Sequence, residues 1–333
     1  MPAFLLRRTL ALIGVLWTVV TLTFFMIRLT PGGPFDRERK IPASIEKELL
    51  KRYKLDGTEG RDWGVKLGAN LGLSESLKVT LGNTGSLGQQ YFSYLGDLLH
   101  GDLRLSTKYR DRSVNEILAQ TLPLSMLLGG LAFFIASTVG IWLGCFAAVR
   151  RDRLGDHVAM FGALGAISVP TFVTGPLAIL AFALLIPIFP VGGLNGPWSL
   201  VLPALVLAAP YVAYIARLMR TSMLEVLGQD YIRTARAKGL PERDIVYKHA
   251  LKVAILPVVS FLGPLAANLL TGSIVVESIF NLPGMGGFFV NSILNRDGFL
   301  LGGVVIIYCA FLVLMNLIVD LAYMMLDKRI NLY

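Results

Sequence analysis

Histidine and cysteine are scarce. His100, His157 and His249 are the only histidines, and Cys145 and Cys309 the only cysteines, in 333 residues. That inventory excludes paired-cysteine metal spacing, an HExxH helix and a disulfide framework. No GxSxG elbow and no GxxxxGK[ST] phosphate loop occurs either. The sequence therefore assigns no catalytic residue, no metal ligand and no nucleotide-binding loop. Both cysteines fall inside apolar runs, where a thiol packs as a small apolar group and says nothing about redox compartment.

Charge is the second shortage. Only 16% of the residues are charged against 54% hydrophobic, so water is not the only solvent for this chain. Charge-poor runs cover residues 9–27, 121–149, 157–189, 198–216, 253–276 and 298–319, each near or above the roughly 20 residues that a bilayer core demands. The reading is an all-α polytopic membrane protein of six transmembrane helices. The third run is longer than one helix needs and contains Pro170, Pro176 and Pro187, which predicts a broken or re-entrant entry followed by one span.

Lysine and arginine near span ends set the orientation. One side receives Arg7 and Arg8, then Arg150, Arg151 and Arg153, then eight basic residues between Arg217 and Lys252, then Lys328 and Arg329. The short loops opposite carry Arg296 alone. The basic side is read as the cytoplasm, with both termini on it and the chain in the cytoplasmic (inner) membrane. The formal charge of +9 needs no nucleic-acid partner, since those segments hold 15 basic and 7 acidic residues, a surplus of 8. The first run has the charge pattern of a signal sequence but lacks a small-residue cleavage site before "RLTPGGPF", so it is expected to remain as a helix.

Three divisions follow. Residues 1–29 are the cytoplasmic N-terminus and first span; 30–112 are an external domain; 113–333 are a core of five spans with a cytoplasmic loop at 217–252. The external segment, about eighty residues long, exceeds a simple connection. "PASIEKELLKRYKLD" and "QQYFSYLGDLLHGDL" read as amphipathic helices. Between them a Gly-rich stretch, about 57–88, fits a loop with a weak hairpin at "SLKVTLGN". The chain shows no internal repeat.

The cytoplasmic loop is the most structured charged segment. Tyr231 to Lys238 has good helix formers, Gly239 suits a left-handed stop, and Pro241 suits the first turn of a following helix. A short helix, a corner and another helix, with small Ala235 and Ala237, form a knob shaped to enter a groove on a soluble partner. The bland alternative is a surface anchor on anionic lipid. With its surroundings, this loop resembles the EAA loop of ABC importer permeases. Arg233, Thr234 and Ala235 stand at its EAA positions, followed by Gly239, then His249, Leu251 and Lys252 at its later positions. Arg233 in place of the acid, and a proline displaced to Pro257, are departures typical of the dipeptide, oligopeptide and nickel branch. "LTPGGPF", "YLGDLLHGDL", "ESIFNLPGMGGFFVNSILNRD" and "NLIVDLAYMMLDKRI" match the same branch over nearly the whole chain. "PGGPFDRERKIP" and "KYRDRSVNEIL" look most like the first permease subunit of oligopeptide importers. The Gly57 to Gly88 insertion, and Arg104 where that family often has glycine, depart from the pattern.

The resemblance implies the type I ABC permease fold and a heteromeric importer. Its partners would be a homologous second permease, two ATP-binding subunits that hold ATP and Mg, and an external peptide-binding protein, with the chain itself in lipid and not an enzyme. Arg233, Thr234, Ala235, Arg236, Ala237, Lys238, Gly239, Leu240 and His249 would form the ATPase-coupling region. Glu277 and Asn281 are candidates for a substrate path or external gate, although Glu277 could equally orient the "NLPGMGG" turn. Asn316, Asp320, Tyr323 and Asp327 share a helix face. That polar stripe reads more readily as a pairing or permease-packing surface than as a proton relay. The cargo stays open between oligopeptides, dipeptides, nickel and glutathione, and an ion-coupled secondary transporter is the rival class.

Overall fold

The computed structural model describes residues 2–29, 52, 86–109 and 111–326. Among them regular structure is helical, with one isolated antiparallel bridge between Leu105 and Ser113. The expected helix over 42–56, apart from Arg52, lies outside the described residues, as do the Gly-rich stretch up to residue 85 and Asp327. The longer α-helices are α1 Pro2–Leu29, α2 Ser86–Leu99, α3 Val114–Val149, α4 Leu154–Ser168, α5 Thr171–Ile179, α6 Val201–Leu227, α7 Asp230–Ala237, α8 Leu256–Leu270, α9 Ile274–Ile279, α10 Met285–Leu294 and α11 Gly298–Leu326. The chain divides into two compact units, one of residues 1–12, 121–287 and 308–333, the other of 13–120 and 288–307.

Four helical segments are long and apolar enough to cross a membrane: Val114–Val149, Pro197–Leu227, Leu256–Ile279 and Gly298–Ala322. A fifth is the broken pair Leu154–Ser168 and Thr171–Leu185, bent by 105°. The bend falls at the expected proline. Pro170 has no N–H for the ladder and forces Val169 into extended backbone, φ −93° and ψ 119°, which ends α4. α1 is helical throughout, with an apolar stretch Leu10–Phe25. The chain is an integral membrane protein.

α6 is the pillar of the larger unit. Of its apolar window 61% is buried, against 6% in α11. Lipid tails are as apolar as leucine, so helices associate in a bilayer through close packing of small residues. Gly140 and Gly144 of α3 supply it: a Cβ at Gly144 would stand 2.5 Å from the Ala216 carbonyl oxygen, and one at Gly140 2.8 Å from Ile215 Cβ. Two boundaries differ from the sequence reading. α6 continues through Arg217 and Arg220 to Leu227, because Arg220 donates to both Asp156 carboxylate oxygens at 2.6 Å and so keeps its charge compensated. The span expected over residues 253–276 is interrupted at Gly272, φ +100°, between α8 and α9.

In the second unit α2 forms as expected and packs aromatic side chains on α1. Phe24 stacks on Tyr94, and the Thr21 and Tyr91 hydroxyls are 2.7 Å apart. Arg104 is buried in the left-handed region, φ 67°, a conformation that costs a non-glycine residue about 1–2 kcal/mol. Its side chain explains why the position carries no glycine here. The guanidinium donates to Asp97 Oδ2 at 2.7 Å and Ser93 Oγ at 2.8 Å, and lies over the rings of Tyr94 and Phe299. Buried Asp297 accepts from Ser106 Oγ and from the Thr107, Lys108 and Leu300 amides, fixing the segment before α3 to the start of α11.

Candidate functional site

α7 begins at Gln229 in extended backbone, with Asp230 in its first turn, where a carboxylate complements the helix dipole. It stops through a Schellman motif. The Gly239 amide donates to the Arg236 carbonyl at 2.9 Å and the Leu240 amide to the Ala235 carbonyl at 3.3 Å, with Gly239 at φ +77°. Pro241, φ −63° and ψ 140°, then starts a turn at Glu242–Asp244 that runs into a π turn, Ile245–Ala250. Across the corner Arg236 forks onto Glu242, Nε to Oε2 at 3.2 Å and Nη2 to Oε1 at 2.7 Å. That hydrogen bond holds the Glu242 carboxyl below its usual range.

The corner has two faces. Ile232 and Ala235 are buried in the core cluster that contains Met219, Met223 and Val226 of α6, joined by Ile245, Val246 and Ala250 beyond the corner. Arg233, Thr234, Arg236, Ala237, Lys238, Gly239 and Leu240 face solvent, and His249 is exposed on the π turn. Of the two small residues marked for close approach to a partner, only Ala237 is therefore on the outside; Ala235 packs inward, one turn after Ile232 and against its own chain. Two exposed aromatics, Tyr231 and Tyr247, escaped the sequence reading. The signal was available in the type alone, because tyrosine is enriched in the anchors of protein interfaces.

Glu277 and Asn281 belong to a second, separate constellation in the same unit. Glu277 is buried on α9, whose N-cap Ser273 accepts from the Val276 amide. Its Oε1 accepts from Ser125 Oγ at 2.8 Å and the Ser273 amide at 3.2 Å, and its Oε2 from the Gly286 amide at 2.8 Å; Ser125 Oγ accepts in turn from the Met285 amide. A Cβ at Gly284 would lie 2.3 Å from the Glu277 carboxyl carbon, so the turn is wrapped on that carboxylate. Asn281 is exposed and left-handed at φ 50°, closing α9 with amide bonds from Asn281 to Ser278 and from Leu282 to Glu277. Of the polar stripe on α11, Asn316 and Asp320 are half-buried, with Asn316 Oδ1 2.9 Å from a Cβ built on Gly263 of α8. The Tyr323 side chain lies outside the described residues. Among the described residues no cluster of His, Cys, Asp and Glu is placed to hold a metal.

Comparison with known proteins identifies the family. Residues 140–332 match the family model described as binding-protein-dependent transport system inner membrane component. The chain is 40% identical over 333 residues to the oligopeptide transport system permease protein OppB of Escherichia coli, covering 99% of this chain and 100% of that protein. It is 39% identical to the dipeptide transport system permease protein DppB of Bacillus subtilis, covering 100% of this chain and 99% of the relative. The DppB protein of Lactococcus lactis is 34% identical over the full length of both. With the family model and full-length relatives in agreement, the chain belongs to the binding-protein-dependent transport system inner membrane component family and, within it, to the permeases of peptide ABC importers.

Proposed function

We propose that this chain is one of two permease subunits of an ATP-driven importer of oligopeptides in the cytoplasmic membrane, with both termini in the cytoplasm. The observation that carries the reading is the two-faced corner at residues 230–241. Its exposed cationic face offers a docking surface, while Ile232 and Ala235 root it in the core shared with α6. A knob built this way moves with the transmembrane core and not independently of it. ATP and Mg are held by two partner ATPase subunits; when those close, the corner is displaced, and the permease pair opens toward an external binding protein that delivers the peptide. Hydrolysis resets the path. Relatives named for oligopeptide and for dipeptide transport support a peptide cargo, and the match of the external segments to the oligopeptide branch favours longer peptides.

The two faces provide the test. In the assembled complex, with Cys145 and Cys309 replaced by alanine, Ala237→Cys should crosslink to an ATPase subunit. Ala235→Cys, buried against its own chain, should not. Crosslinks from Ala237→Cys that reach only lipid would overturn the coupling role, and copurification without any ATP-binding chain would overturn the importer. Peptide-length dependence of ATPase stimulation by the loaded binding protein then separates oligopeptide from dipeptide cargo.

A further inference from the structure

A cavity of about 900 Å³ in the larger unit plays no part in the corner or the outer turn. Its α4 wall opens with Asp156 and His157 and is apolar beyond them, with Val158, Phe161 and Leu164 exposed; its α6 wall presents Arg217, Arg220 and Thr221. Arg220 is already engaged. Its fork onto Asp156, at 2.6 Å on both oxygens, leaves a pair with no net charge, and Asp156 Oδ2 also accepts from the Asp152 amide at 3.1 Å. Arg217 is different: it is exposed and has no ion-pair partner among the described residues. The cavity thus combines an apolar floor with a polar end where His157 and the Arg220–Asp156 pair stand beside one uncompensated guanidinium.

Its place along the helices matters as much as its lining. It lies at the helix ends from which Arg150, Arg151 and Arg153 emerge. There Arg150 sits 4.2 Å from the centre of the Phe146 ring, and Phe146 stacks on exposed Trp142 at 5.6 Å. An aromatic pair under an arginine marks the headgroup level of a bilayer. We propose that the cavity holds one anionic phospholipid, its phosphate on Arg217 and an acyl chain along Val158, Phe161 and Leu164. A guanidinium fork fits phosphate oxygens in two parallel bonds. An apolar helix in the same place would bury Arg217 without compensation, which is strongly unfavourable. The inference does not depend on the cargo or on the coupling role of the corner.

The test uses the assembled complex in nanodiscs of phosphatidylcholine containing a minority of photoactivatable phosphatidylglycerol. Label should map to peptides of α4 and α6. Arg217→Gln should lower that label about fivefold, the effect of losing one basic side chain near an anionic headgroup. Arg217→Lys should keep part of it, and Arg243→Gln, an exposed arginine elsewhere, should leave it unchanged. Because Arg217 is exposed and unpaired, thermal unfolding of the complex should not shift with Arg217→Gln. Equal labelling by a phosphatidylcholine probe, or undiminished labelling of Arg217→Gln, would overturn the proposal. So would Phe161→Cys crosslinking to the second permease in place of lipid.

Discussion

Two helix stops in the larger unit use the same backbone motif and are held in opposite ways. At Gly239 the left-handed residue stands in open space, and the corner beyond it is braced by an exposed Arg236–Glu242 pair. At Asn281 the helix it closes carries buried Glu277, whose carboxylate gathers one hydroxyl and two amides from three stretches of chain. The first stop is specified locally, by glycine and a proline two residues on. The second is specified by a remote contact, since Ser125 is 152 residues from Glu277 in sequence. An exposed corner can be specified by its own few residues; a turn that shapes the membrane core cannot.

The largest effect should come from Glu277→Ala. It strands the Ser273 and Gly286 amides and the Ser125 hydroxyl in a buried site, at a cost of about 3 kcal/mol. Thermal unfolding of the purified complex reads it, and a loss below ~1 kcal/mol would mean that the carboxylate is not the tie we describe. Gly284→Ala should follow at about 1–3 kcal/mol, because its methyl would be forced against the same carboxyl group. If it costs nothing, the turn is looser than the geometry implies.

At the corner the effects shrink and change kind. Gly239→Val should cost about 1–2 kcal/mol from backbone strain alone, since nothing stands in the way of its side chain. We expect uptake to be uncoupled from ATP hydrolysis, or assembly lost, while membrane insertion survives. Gly239→Asn should be nearly silent, as Asn281 shows that asparagine tolerates this position in the same motif. The smallest effect belongs to Arg236–Glu242, which is exposed and contributes below ~1 kcal/mol. The sign is fixed by the lowered Glu242 value: the stabilisation is full above the ordinary 4.5 and is lost as pH falls through the lowered value. Glu242→Gln should remove that pH dependence from corner protection in hydrogen exchange, and a dependence that survives would assign it to another group.

Periodicity and composition made several features legible. The apolar runs lie on helices, the Pro170 break is at its expected place, and the Gly239 stop has the predicted left-handed backbone. Helix ends were harder, because a charged residue can remain helical when a distant side chain neutralises it, as Asp156 does for Arg220. Ala235 and Ala237 looked alike for a similar reason. Two small residues spaced two apart on a helix point to different sides, and which side is inward depends on where α6 lies.

By itself the sequence determined that the chain enters a membrane, how its basic ends are distributed, and where a glycine corner interrupts the charged loop. Those properties are set by transfer free energy and by local backbone sterics, which act over a few residues to about twenty. Only the tertiary structure decided that Ala235 is rooted and Ala237 free, that Arg104 stands stably in a left-handed position, and that Glu277 binds a turn together. Each of these depends on hydrogen bonds or close packing between segments far apart in the chain, and in a bilayer a buried polar group is stable only where such a remote partner has been brought to it.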